Sequence, residues 1–122
     1  MTTPPIQNIA VIGLGTIGHS VAQVYAAAGC TVRCFDPDPT TGASLADRVR
    51  TNLKQMASAG LSSPDEIEHV VSRFVICDSE VEAVSGAEFV SEAAAEDLPI
   101  KQALFARLEN HIDRYTILAS NT

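Results

Sequence analysis

Residues 9–29 read IAVIGLGTIGHSVAQVYAAAG, and the order of residue types along them decides the fold. Ile9 to Ile12 are a short continuous apolar run, the pattern of a central parallel strand covered on both faces. Gly13-Leu14-Gly15-Thr16-Ile17-Gly18 follows as a glycine-rich turn. Beyond it Ile17, Val21, Val24, Tyr25 and Ala28 recur at helical spacing up to Gly29, a natural helix stop. Strand, glycine turn and helix within 21 residues is the opening unit of a sheet with helical crossovers.

The same alternation runs outward from this unit. Thr31 to Phe35 predicts a second strand, closed by Asp36-Pro37-Asp38-Pro39. A helix over Ser44 to Ala57 would turn Leu45, Val49, Leu53 and Met56 to one face. Ser63-Pro64-Asp65-Glu66 has capping-box spacing and opens a shorter helix through Ile67, Val70 and Val71. Phe74 to Cys77 is a third strand, Ser79 to Ser85 a short helix or turn, and Glu88 to Ala93 a fourth strand. Asp97-Leu98-Pro99 starts a helix with Ile100, Leu104, Phe105 and Leu108 inward, and Tyr115 to Ala119 is a fifth strand. Alternation with short connections argues a doubly wound α/β domain with a parallel sheet.

Composition bounds the function. The 122 residues form one domain, and at 46% apolar they can bury a core. No apolar run approaches the roughly 18 residues of a membrane span, and MTTPPIQNIAVIG carries no secretion signal, so a cytoplasmic domain is expected. Net charge is −7, divided as +1 over residues 1–60 (four basic, three acidic) and −8 over 61–122 (four basic, twelve acidic). Such acidity repels a phosphate backbone and argues against nucleic-acid binding. Cys30, Cys34 and Cys77 have neither CxxC nor metal-ligand spacing and read as buried thiols, Cys30, Val32 and Cys34 sharing one strand face.

Any phosphate must therefore be held by backbone amides, and the glycine turn supplies them. Gly13 permits the tight exit from the strand, a side chain at Gly15 would collide with a pyrophosphate on the helix N-terminus, and Gly18 lets the helix pack closely. Asp36 ends the second strand 18 residues after Gly18, where a carboxylate accepts from both adenosine ribose hydroxyls and repels a 2′-phosphate. No arginine stands at 37 or 38, and Arg33 has the opposite strand parity to Asp36. The spacing favours NAD over NADP.

Three segments resemble the NAD-binding domain of L-3-hydroxyacyl-CoA dehydrogenases, including 3-hydroxybutyryl-CoA dehydrogenases: residues 9–29, FVSEAAAEDLPIKQALFARLE at 89–109, and ILASNT at 117–122. The resemblance implies a Rossmann-type doubly wound sheet in three α/β/α layers. It gives Gly13, Leu14, Gly15, Thr16, Ile17 and Gly18 to the pyrophosphate and Asp36 to the adenine ribose. Glu96 and Lys101 match the family's E-x-x-x-x-K pair near the nicotinamide ribose, and Asn121 matches the asparagine beside the nicotinamide. Read without the resemblance, Glu96 and Lys101 are solvated charges and Asn121 a polar strand end.

The resemblance also implies what would follow Thr122: a substrate-contacting serine, a histidine base with its glutamate partner, and a helical substrate and dimerisation domain. The 122 residues are expected to hold NAD without turning over a substrate, and the complete enzyme to be a homodimer acting on an acyl-CoA. His19, His69 and His111 do not match the family's histidine. Relatives place lysines near the end of the 44–57 helix, where this sequence has Met56 to Gly60, with Arg50 and Lys54 as earlier substitutes. Carnitine or another hydroxy acid as substrate stays open, as does a non-catalytic NAD-binding module. The fifth strand, unpaired on one side, is expected to invite oligomers.

Overall fold

The computed structural model describes residues 6–93, 97–112 and 116–120. Five strands, β1 (Asn8–Ile12), β2 (Thr31–Phe35), β3 (Phe74–Ile76), β4 (Phe89–Glu92) and β5 (Ile117–Ser120), form one sheet in the order β3-β2-β1-β4-β5. Every pairing is parallel. The chain winds outward from β1 to β3, returns to place β4 beside β1, and winds outward again. The reversal lies between β1 and β4, where an open α/β sheet splits at its carboxyl rim and admits a ligand.

Alternate residues of β1 feed two separate cores, as the two-residue period of a strand requires. Ile9 and Val11 join Val32 and Cys34 of β2 against α1 (Thr16–Ala27), α3 (Leu45–Ser58) and α4 (Ile67–Val71). Ala10 and Ile12 join Val90 against α5 (Glu80–Val84) and α6 (Leu98–Glu109). The three-layer, doubly wound architecture stands as the sequence predicts, and all three cysteines are free and buried.

Local chemistry accounts for the departures. A short helix α2 (Pro39–Ala43) precedes α3, because Asp38 caps it by accepting from the Thr40 amide and Pro39 supplies the fixed φ of a first turn. The Ser63 hydroxyl accepts from the Asp65 amide, and its carbonyl accepts from the Glu66 amide at 3.1 Å, so Pro64–Glu66 forms a 3-10 turn before α4 instead of a capping box.

The larger correction concerns which face of a helix is inward. In α1 the buried residues are Gly18, Ala22 and Ala26, while Ile17 and Val24 are exposed. A face of small residues lets the helix axis approach the sheet. Ile17 and Val24 are left exposed while Val21 and Tyr25 pack at the margin of the core, and all four border an open groove with Phe89, whose ring centroid lies 5.7 Å from that of Tyr25. In α6, Leu104 and Leu108 face the core as expected, but Ile100 is exposed and Lys101 is buried in its place.

Candidate functional site

The site begins where β1 stops. Gly13 has φ 92, a left-handed value that a side chain disfavours, and its amide donates to the Phe35 carbonyl at 2.8 Å. The chain then folds straight into α1, whose first position is capped by Gly15 without any side-chain hydrogen bond. The first-turn amides of a helix have no acceptor inside the helix. They and the positive end of the helix dipole therefore face outward beside Gly15.

The three glycines of the turn serve two different needs. A Cβ on Gly18 would overlap the Gly13 carbonyl oxygen and come within 2.7 Å of the Gly13 carbonyl carbon, so Gly18 is required by the protein itself. A Cβ on Gly15 would meet nothing within 4 Å among the described residues. Its backbone, at φ −71 and ψ −155, is also open to other residues. Among the described residues nothing demands glycine there, whereas an anion against the helix N-terminus would.

Asp36 lies beside the turn at the end of β2. Its Oδ2 accepts from the Leu14 amide and its Oδ1 from the Asp38 amide, both at 2.8 Å. The carboxylate thus fixes the glycine turn and starts the following bend. Each oxygen has a second lone pair with which to accept a hydroxyl. Arg33, which would have to turn toward Asp36 to welcome a 2′-phosphate, donates to the Ser85 carbonyl at 2.7 Å.

His19 ties the turn to α3. Its Nδ1 lies 3.0 Å from the Gly15 carbonyl oxygen and its Nε2 3.2 Å from Nδ2 of Asn52, which also donates to Gln23 at 3.0 Å. The tautomer that donates from Nδ1 and accepts at Nε2 satisfies both contacts. His69 and His111 are exposed. Arg50, a candidate cation on α3, is held by Asp47 and Glu68, which keep its guanidinium protonated beyond its usual range while it holds the Glu68 carboxyl below the usual one.

A second cluster stands across the β1/β4 split. The register sets Phe35, Ile12, Glu92 and Ser120 in one row at the carboxyl ends of their strands. Glu92 is fully buried, its Oε2 accepting from Ser120 Oγ at 2.9 Å. Lys101, reaching over from the first turn of α6, donates from Nζ to Ser120 Oγ at 3.2 Å and lies 3.8 Å from Glu92 Oε2. Lys101 is therefore a buried member of a charged cluster, not a solvated charge. Glu92 was not predicted; a carboxylate closing the short FVSE strand was the available signal. Glu96 and Asn121 lie outside the described residues.

The sequence profile described as "3-hydroxyacyl-CoA dehydrogenase, NAD binding domain" matches residues 8–122. The chain belongs to this family. It is 34% identical over 117 residues to a probable 3-hydroxybutyryl-CoA dehydrogenase of Bacillus subtilis (strain 168), covering 96% of this chain and 40% of that protein. It is 27% identical over 123 residues to the lambda-crystallin of Oryctolagus cuniculus, covering all of this chain and 39% of that one. The solved structure of 3-hydroxybutyryl-CoA dehydrogenase from Escherichia coli K12 superposes with a TM-score of 0.89 at 31% identity, over 98% of this chain and 25% of that one. The chain thus spans two fifths or less of these relatives. NAD is the family's cofactor, and the bare helix N-terminus, the open space at Gly15 and the Asp36 carboxylate fit it.

Proposed function

We propose that Gly13 to Gly18 hold the pyrophosphate of NAD, Asp36 its adenine ribose, and Glu96, Lys101 and Asn121 its nicotinamide end. In the full-length protein NAD so held would accept the hydride from C3 of an L-3-hydroxyacyl-CoA, giving the 3-oxoacyl-CoA. The observation that carries the reading is the pairing of open space at Gly15 with a carboxylate anchored to the same turn. The turn's amides orient the pyrophosphate, and Asp36 selects an unphosphorylated ribose. The match along residues 8–122 supports the substrate class.

The 122 residues alone bind without turnover in this reading. His19, the histidine beside the turn, has both ring nitrogens engaged by Gly15 and Asn52. Homodimeric assembly of the complete protein and a cytoplasmic location belong to the same proposal and rest on the resemblance. Among the described residues no helix is long and apolar enough to cross a membrane. One observation favours a second substrate reading: Arg50 is bound to Asp47 and Glu68, so it is not poised for a coenzyme A phosphate. A smaller hydroxy acid, such as carnitine, is the alternative.

Titration calorimetry with NAD and NADP tests the cofactor half. NAD is expected to bind at least tenfold tighter, and equal affinity would remove the role given to Asp36. Substrate-dependent NADH formation by the full-length protein, with 3-hydroxybutyryl-CoA against carnitine, decides the substrate half.

A further inference from the structure

We infer that Glu92 is a positioning residue for the nicotinamide end of the cofactor: through Ser120 it holds the Lys101 ammonium at the rim between β4 and β5. This rests on the reading of Lys101 as a cofactor contact given above.

Glu92 closes β4, paired with Ile12 on one side and Ser120 on the other, so its backbone is fixed by two parallel ladders. Its side chain is fully buried. Ser120 Oγ, 2.9 Å from the carboxylate and 3.2 Å from the ammonium, donates to the first and accepts from the second. The hydroxyl can bridge the pair only in this sense, because an ammonium has no acceptor and a carboxylate no donor. The arrangement is directional: the carboxylate aims the hydroxyl, and the hydroxyl aims the lysine. Lys101 is anchored from the other side by α6, where Asp97 caps the first turn by accepting from the Ile100 amide at 3.1 Å.

Stability alone does not account for this cluster. A buried ion pair commonly contributes no more than apolar side chains of similar volume would, and its desolvation is costly. The neighbouring positions of the row, Ile12 and Phe35, are apolar, so the rim accepts such residues. What the charged version provides is a cation at a fixed place. The Lys101 side chain is 11% exposed, and Glu92 beneath it is paired with Ile12, the residue that leads into the glycine turn. Ala93, next to Glu92, donates its amide to the Ile12 carbonyl at 2.9 Å, so the cluster and the turn follow from the same strand ends.

The test compares NAD with ADP, which engages only the glycine turn and Asp36. Lys101→Met, Glu92→Gln and Ser120→Ala, and each of the last two combined with Lys101→Met, are titrated with both ligands. The expected result is a loss of about tenfold in NAD affinity for each single variant, the size of a hydrogen bond to a charged group. ADP affinity should stay unchanged, and Glu92→Gln should add nothing once Lys101 is gone. Equal losses for ADP and NAD would make Glu92 structural and overturn the inference. So would a Lys101→Met loss that Glu92→Gln and Ser120→Ala do not reproduce, which would leave the reading of Lys101 intact. An unaffected Lys101→Met variant would remove Lys101 from the cofactor site and the inference with it. Ser120 is at the exposed end of β5, so Ser120→Ala carries the test if Glu92→Gln does not fold.

Discussion

The Leu14 amide donates to Asp36 Oδ2 at 2.8 Å, joining two residues 22 positions apart. The acid proposed to select the ribose is therefore also a strut of the turn proposed to receive the pyrophosphate. Replacing Asp36 removes two things at once. Asp36→Ala is expected to weaken NAD by about 1.5–3 kcal/mol, or 10–100-fold. Asp36→Asn keeps one acceptor and should lose less, while narrowing the preference for NAD over NADP. Calorimetry with both dinucleotides checks this, and unchanged NAD binding in Asp36→Ala would remove the ribose assignment.

The two glycines of the turn should separate cleanly. Gly18→Ala drives a methyl group into the Gly13 carbonyl and should cost about 3 kcal/mol, at the top of the usual range for overpacking. Gly15→Ala meets no atom of the described residues within 4 Å, so its thermal unfolding should match the parent or exceed it slightly. Its NAD binding should nevertheless be lost. Melting followed by circular dichroism, with titration of the same samples, distinguishes a fold defect from a ligand defect.

Burial pushes the Cys34 thiol up to about 12 from its ordinary 9.0, with Cys77 adding to the rise. The Cys34 S–H also donates to the Val32 carbonyl at 3.5 Å. The folded protein therefore holds this proton more tightly than the unfolded chain does. Its contribution is fully present below about pH 9 and is lost as pH climbs toward 12, on the order of 4 kcal/mol over the whole interval. Alkaline melts of the parent against Cys34→Ala should show a shallower fall for the variant. Parallel curves would mean that this thiol does not govern alkaline stability.

β5 closes one side of the sheet, and Ile117 on it is half exposed. A parallel edge with apolar side chains invites a second chain. Light scattering of the 122-residue protein should show mass rising with concentration. Ile117→Lys, which places a charge on that edge, should suppress the rise. A monomer at every concentration would set this expectation aside.

Most of the fold was legible because strands and glycine turns are governed by neighbours in sequence. The run Ile9–Ile12, the turn at Gly13–Gly18 and the acid at Asp36 each announce themselves within a few residues. Helix faces were less legible. In α1, periodicity pointed to Ile17, Val21 and Val24, but Gly18, Ala22 and Ala26 share a spacing of four and win the sheet because they permit closer approach. In α6, Lys101 occupies the inward position where Ile100 was expected, since a partner for its charge waits in β4, nine residues upstream. Glu92 and Ser120 meet only because β4 and β5 are adjacent, a fact that no local pattern in either segment contains. Asp38-Pro39 was read only as the close of the second strand, and the cap that Asp38 supplies explains the extra helix.

The row Phe35, Ile12, Glu92 and Ser120 makes the proposed binding site a gauge of strand alignment. A slip of one residue between β1 and β4 would turn Glu92 to the opposite face and carry Ser91 into its place. A chain misassembled in that way could keep its helices and much of its compactness, yet Lys101 would lose its contact with Glu92 and the turn would lose its neighbour. Retention on immobilised NAD would then sort correctly aligned molecules from near-native ones, a distinction that helical content alone would miss.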